Sequence, residues 1–146
     1  MIYFTEEIAS AAYYIDMFKN TQAFSSFAVN DLDDAEKFYG DTLGMKIDQS
    51  EDGEYFNLLI NDGGTSIMVY AKPEHKPAQY TIMNFMVQDI EKTVTQLEVN
   101  NIDLEIYDNP EMKQDDRGIF RDEDMGMAMA WFCDPAGNII AALEQK

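Results

Sequence analysis

Val29-Asn30-Asp31-Leu32-Asp33-Asp34-Ala35-Glu36-Lys37-Phe38-Tyr39 has an echo 58 positions later, Val87-Gln88-Asp89-Ile90-Glu91-Lys92-Thr93-Val94-Thr95-Gln96-Leu97. Each stretch ends an apolar run that reads as a strand and opens a run with helical spacing. A second pair of turns, Asn61-Asp62-Gly63-Gly64 and Asp134-Pro135-Ala136-Gly137, leads into short apolar strands 73 positions apart. One structural unit present in two copies accounts for both pairs, and any site between the copies can be searched position by position.

In the first copy, Phe24 to Val29 reads as a strand, and Leu32, Ala35, Phe38, Tyr39 and Leu43 as a helix stripe closed by Gly44. Met45 to Asp48 and Tyr55 to Ile60 read as strands around the Asp52-Gly53 turn, and Thr65 to Ala71 as the last strand. The second copy gives strand Thr81 to Val87, a helix from Ile90 to about Val99, and strands Ile102 to Tyr107, Met127 to Cys133 and Asn138 to Leu143. The order is βαβββ twice. The offset grows from 58 to 73, which places an insertion of 15 residues between Leu97 and Asp134, with the polar run Asp108 to Asp124 as its candidate.

At 146 residues the chain fits a single α+β domain, divided as 1–20, a helical extension, 21–76, the first module, and 77–146, the second. The extension rests on Ile8, Ala11 or Ala12, Ile15 and Phe18 at helical spacing behind Thr5, a plausible N-cap. Met17 is an alternative start that would make residues 1–16 an add-on to the domain; a packing helix is the preferred reading. Glu6 and Glu7 stand where a secretory signal needs basic residues.

The net charge of −18 comes from 28 acidic against 10 basic side chains, two of them arginine. Such a surface repels nucleic acid and anionic membranes, and no apolar run approaches membrane-spanning length. One cysteine, Cys133, excludes an internal disulfide framework and fits a reducing cytoplasm.

The pattern V-x-D-L-x-x-A-x-x-F-Y-x-x-x-L-G-M over Val29 to Met45, with Asp134-Pro135-Ala136-Gly137-Asn138, resembles the vicinal oxygen chelate superfamily. That superfamily includes glyoxalase I, bleomycin-resistance proteins and extradiol dioxygenases. The resemblance covers residues of roughly 22 to 144. It implies two βαβββ modules whose mixed sheets form a cup, usually within a homodimer. It does not imply one reaction, because the superfamily holds lyases, dioxygenases, epimerases and binding proteins.

The resemblance also implies four places where family enzymes hold a divalent metal with His and Glu. Here they fall on Phe24, Met68, Ile82 and Ala141, none of which is a metal ligand, and a shift of one residue restores no ligand set. The single histidine, His75, lies in a Pro-bracketed linker and reads as exposed. Asp115, Asp116, Asp122, Glu123 and Asp124 could supply oxygens, but a solvated acidic loop is the preferred reading. No cofactor and no metal is therefore expected.

Strand alternation puts Phe24, Ser26, Met68 and Tyr70 on the metal-equivalent face of the first copy, with Tyr55 and Asn57 as contributors. Ile82, Asn84, Met86 and Ala141 take that face in the second copy, with Trp131 from the preceding strand. This composition suits a small-molecule pocket, the preferred reading, with a filled core as the alternative. Arg117 and Arg121 are candidates to clamp a carboxylate or phosphate at the cup mouth, but local ion pairing with neighbouring Asp and Glu is the preferred reading.

No catalytic set is legible: Cys133 has no histidine nearby in sequence, and there is no phosphate loop or dinucleotide fingerprint. The expected function is metal-free binding of a small hydrophobic or aromatic molecule, of bleomycin-resistance-like type. The alternatives are a glyoxalase- or dioxygenase-like enzyme with displaced ligands, and a degenerate structural or regulatory member.

Overall fold

A computed structural model describes residues 17–146. The extension expected over residues 1–20 lies almost wholly outside the described residues. Among the described residues no helix is long and apolar enough to cross a membrane.

The two echoing stretches fold alike at atomic detail. Asp31 and Asp89 are extended N-caps whose Oδ1 atoms accept from the backbone N–H of Asp34 and Lys92, both at 2.9 Å. The V-x-D motif is thus a strand end followed by a cap that satisfies an otherwise unpaired helix donor. From it start α1 (Leu32–Glu36) and α2 (Ile90–Val99). The first helix does not stay α: Lys37–Thr42 widens into a π turn in which Leu43 N–H donates to Phe38 O. Gly44 ends it at φ +71, a conformation that favours glycine.

Each module closes a four-stranded mixed sheet. The first contains β1 (Ser25–Val29), β2 (Lys46–Gln49), β3 (Tyr55–Ile60) and β4 (Thr65–Ala71) in the spatial order β1-β4-β3-β2. The second contains β5 (Thr81–Met86), β6 (Phe120–Asp122), β7 (Met127–Cys133) and β8 (Ile139–Gln145) in the order β5-β8-β7-β6. First and last strands pair parallel in both, β1 with β4 and β5 with β8, and the remaining pairs are antiparallel.

One expected strand is displaced. Ile102 to Tyr107 forms no strand; its backbone meets the sheet at the Leu104–Phe132 bridge and through the Glu105 N–H to Trp131 O bond at 2.7 Å. The Gln114 side chain diverts its backbone instead, accepting from Tyr107 N–H and donating to Glu105 O and Gly118 O. Phe120–Asp122, read from sequence as part of a polar loop, takes the edge beside Met127 to Met129. The edge strand of the second sheet is therefore split, with the insertion issuing from the gap.

The helix-bearing faces of both sheets share one core. Val29, Phe38, Tyr39, Phe56, Leu58 and Val69 of the first module pack with Met83, Leu97, Phe132 and Ile140 of the second. A buried polar link crosses the same seam. Tyr39 Oη donates to Asp134 Oδ2 at 2.8 Å, and Asp134 Oδ1 accepts from the N–H of Ala136 and Asn138. The Asn138 amide donates to Asp134 Oδ2 and, across the seam, to Ala28 O at 3.0 Å. The Asp-Pro-Ala-Gly-Asn turn is thus a fastener between modules. Gly137 sits in it at φ +85, where a Cβ would come within 3.1 Å of Pro77.

Candidate functional site

With the helix-bearing faces turned to a common core, the opposite faces of the two sheets point outward on the two sides of the chain. Registry defines each face. On the first sheet Ser26, Met68, Asn57 and Asp48 lie in one cross-strand row, and Ala28, Tyr70 and Tyr55 in the next. Tyr55, Asn57 and Met68 are half-buried, while Ser26 and Tyr70 are exposed. Phe24, just before β1, is 70% exposed. These six residues share one open surface. Asp48, at the end of the first row, was not among the residues expected here; the alternation of Lys46 and Asp48 along β2 is the signal that locates it.

The second sheet presents Asn84, Ala141 and Trp131 in one row, and Met86, Leu143, Met129 and Phe120 in the next. Here the expectation needs correction. Trp131 is buried at 7% exposure and Ala141 at 0%. Tyr107 of the insertion stands edge-on to Trp131 with ring centroids 5.6 Å apart, and Phe120 flanks it at 6.4 Å. Tyr107 and Phe120 thus cover Trp131, and neither Trp131 nor Ala141 lies on an open surface of the chain. Ile82 also leaves the row: the register shifts between Thr81 and Met83, and Ile82 packs against the shared core. Asn84 and Met86 remain open, Met86 at 66% exposure.

Arg117 and Arg121 stand away from both faces. Arg117 pairs with Glu91 and Glu98 at 2.8 Å and donates to Thr95 Oγ1, while Arg121 pairs with Glu91 and, at 2.6 Å, with Asp115. Arg121 lies opposite Ala128, on the α2 side of the sheet. The two guanidiniums tie the insertion to α2, and their anions come from the chain itself. Burial works against ionisation of Asp115, yet Arg121 and the backbone N–H groups of Ile119 and Arg117 hold its carboxyl below the usual range. The Glu98 carboxyl is likewise held low by its hydrogen bond from Arg117.

The side chains at the four metal-equivalent positions do not fit a cation. Phe24, Met68, Ile82 and Ala141 offer no hard donor. Among the described residues no three His, Cys, Asp or Glu side chains converge. Two carboxylates of the insertion serve as turn caps instead: Asp115 for Arg117 and Ile119, Asp122 for Met125. Cys133, at the end of β7, donates to Glu105 Oε1 at 3.3 Å, and burial together with that carboxylate pushes its thiol up to about 11.

His75 is half-buried rather than exposed, with Nε2 sealed and unpartnered. The linker runs beside the unpaired edge of β1 and borders a half-open cavity of about 620 Å³ there, lined by Ser26, Tyr70, Lys72, His75, Tyr80 and Asn138 among others. Through Ser26 and Tyr70 this cavity opens onto the first sheet's outward face.

The sequence profile of the Glyoxalase/Bleomycin resistance protein/Dioxygenase superfamily matches residues 21–144. Comparison with curated proteins gives no match. Among solved structures, lactoylglutathione lyase from Agrobacterium tumefaciens superposes with a TM-score of 0.59 at 18% identity, covering 86% of this chain and 93% of that one. A glyoxalase family protein from Enterococcus faecalis gives 0.58 at 18%, covering 88% and 100%. TnmS3, an antibiotic binding protein from a Streptomyces species, gives 0.58 at 17%, covering 87% and 98%. At these identities the likeness is one of fold.

Proposed function

Because this chain belongs to the Glyoxalase/Bleomycin resistance protein/Dioxygenase superfamily, we propose that it is a metal-independent binding protein for a small hydrophobic or aromatic molecule, acting as a homodimer in the cytoplasm. The observation that carries this reading is the outward face of the first sheet. Tyr55, Tyr70, Met68, Asn57 and Ser26 form a contiguous, half-open surface of aromatic and soft side chains with a few polar handles. Pockets for small organic molecules have that make-up. The antibiotic binding protein among the structural neighbours has the same architecture, so the fold is compatible with binding.

A single copy leaves this surface as an open half-cup. Exposed Phe24, Tyr70 and Met86 favour a second copy that brings the outward face of its own second sheet, with Asn84 and Met86, against Met68 and Asn57. The ligand then sits between protomers. A metal-dependent lyase or dioxygenase reading requires donors that the metal-equivalent positions lack.

Native mass spectrometry of protein purified without added metal tests all three parts together. The expected spectrum is a dimer, free of stoichiometric metal, carrying a co-purified organic mass. Stoichiometric Mn, Fe, Ni or Zn, with an activity lost on chelation, overturns the reading.

A further inference from the structure

On the helix-bearing side, where the modules meet, lies a second cavity of about 440 Å³. Its floor is apolar: Leu43 and Met45 follow α1, Leu97 belongs to α2, and Phe132 rises from β7. Thr42 and Gln96 stand at its rim, both exposed. The outward face of the first sheet is not involved; Phe132 points to the opposite side of β7 from Trp131, and of the second sheet's outward residues Met86 alone lines the cavity.

Three observations point to a ligand of defined chemistry. First, none of the thirteen lining residues is charged, in a chain where 26% of residues are charged and the net charge is −18. A cavity lined without charge returns no ion-pair energy to a charged guest, which pays its desolvation on entry. Second, the π turn Lys37–Thr42 ends at the cavity, delivering Thr42 and Leu43 to its wall. Such turns in place of regular α-helix recur at functional sites. Third, the Gln96 side chain makes no hydrogen bond to the described residues, whereas its neighbours Thr93 and Asn100 donate to the backbone carbonyls of Asp89 and Gln96. Gln96 therefore has both a donor and an acceptor to offer a guest.

We infer that the seam between the modules is a second binding site, for a neutral, ring-sized apolar molecule with one hydrogen-bonding group directed at Gln96. It shares no residue with the first sheet's outward face. The volume falls within the range of small-molecule pockets, and the guest bridges α1 and α2, so it contacts both modules.

Methionine methyl NMR separates the two sites, because Met45 lines the seam and Met68 the outward face. The full chain, labelled at its methionine methyls, is titrated with 2-naphthol. It is titrated separately with 2-naphthoate and 2-naphthylmethylammonium, ions of similar shape. The expected result is a saturable Met45 shift with 2-naphthol, and affinities at least tenfold weaker for both ions. Thr42→Trp should abolish the Met45 response and leave Met68 as in the parent. Gln96→Ala, on an exposed helix face, should keep the fold and weaken 2-naphthol several-fold.

A Met45 methyl that ignores millimolar 2-naphthol overturns the inference, as does a Met45 response unchanged in Thr42→Trp. Tighter binding of the ammonium ion also overturns it, since the overall acidity would then be selecting the guest. A Met68 shift alone supports the outward-face site and refutes this one.

Discussion

Asp134 shows how much one carboxylate can carry when four donors converge on it. The Tyr39 hydroxyl, the Asn138 amide and two backbone N–H groups all point at its two oxygens. Burial pushes the Tyr39 phenol well above its ordinary range, and the Asp134 charge adds to this, so the hydroxyl stays a donor throughout the stable pH range. Tyr39→Phe removes one donor and should cost about 1–2 kcal/mol, whereas Asp134→Ala strands several buried donors and should cost about 3–5 kcal/mol. Urea denaturation of the two variants checks the order.

Cys133 gives a second prediction at this scale. With its thiol raised to about 11, iodoacetamide should label it slowly at pH 8 and quickly only as the pH approaches that value, or after unfolding. The sequence makes the Asp-Pro-Ala-Gly-Asn turn visible but conceals its bond to Tyr39, because 95 positions separate the partners. By contrast, the caps Asp31 and Asp89 are legible outright, since a cap acts three residues away.

Elements tell a similar story about range. Among the described residues, the helices and seven of the eight strands follow from local periodicity, because the alternation and the 3.6-residue stripe are properties of neighbours. The edge of the second sheet does not. Ile102 to Tyr107 has the apolar content of a strand, but Gln114 claims two of its backbone groups, and Phe120–Asp122 takes the place on β7 that pairing requires. Gln114→Ala should loosen the insertion without unfolding either sheet, costing about 1–3 kcal/mol for the groups it leaves unpaired. Trp131, the chain's only tryptophan, is its natural reporter, since Tyr107 covers it.

Acid should release the same loop. The Asp115 and Glu98 carboxyls are held below their ordinary values, so their stabilising contribution is complete above the unfolded-state values, near pH 4, and is lost as pH falls through the lower folded values. Trp131 emission should therefore shift below about pH 4, and Arg117→Ala should blunt that shift.

At the scale of the whole molecule, the shared core decides what the candidate site is. Duplication makes two equivalent sheets legible and supplies the register for Met68 and Ala141. It leaves open which faces meet. The helix-bearing faces do, through Phe38, Tyr39, Phe132 and Ile140, so residues that sequence reasoning collects into one cup lie on two outward faces. The arginines follow the preferred reading of local ion pairing: in so acidic a chain their counter-ions are close at hand, on α2 and in the insertion itself. Self-repulsion from a net charge of −18 also sets a global prediction. Raising the salt concentration from about 0.01 M to 0.15 M shortens the screening length from about 30 to 8 Å. The melting temperature should rise over that interval, despite the weakening of the exposed ion pairs.

The split edge of the second sheet has a consequence for how such a protein can change over generations. Leu104 meets β7 at Phe132 and Phe120 meets it at Met129, three positions apart on one strand and so about 10 Å along it. Everything between them leaves the sheet and returns to it through one doorway. A lineage can lengthen, shorten or exchange that segment while β7 keeps both of its neighbours. Whatever the segment covers, at present Trp131, is then renegotiated with each exchange. The architecture holds a socket in which the covering segment can change without disturbing the core.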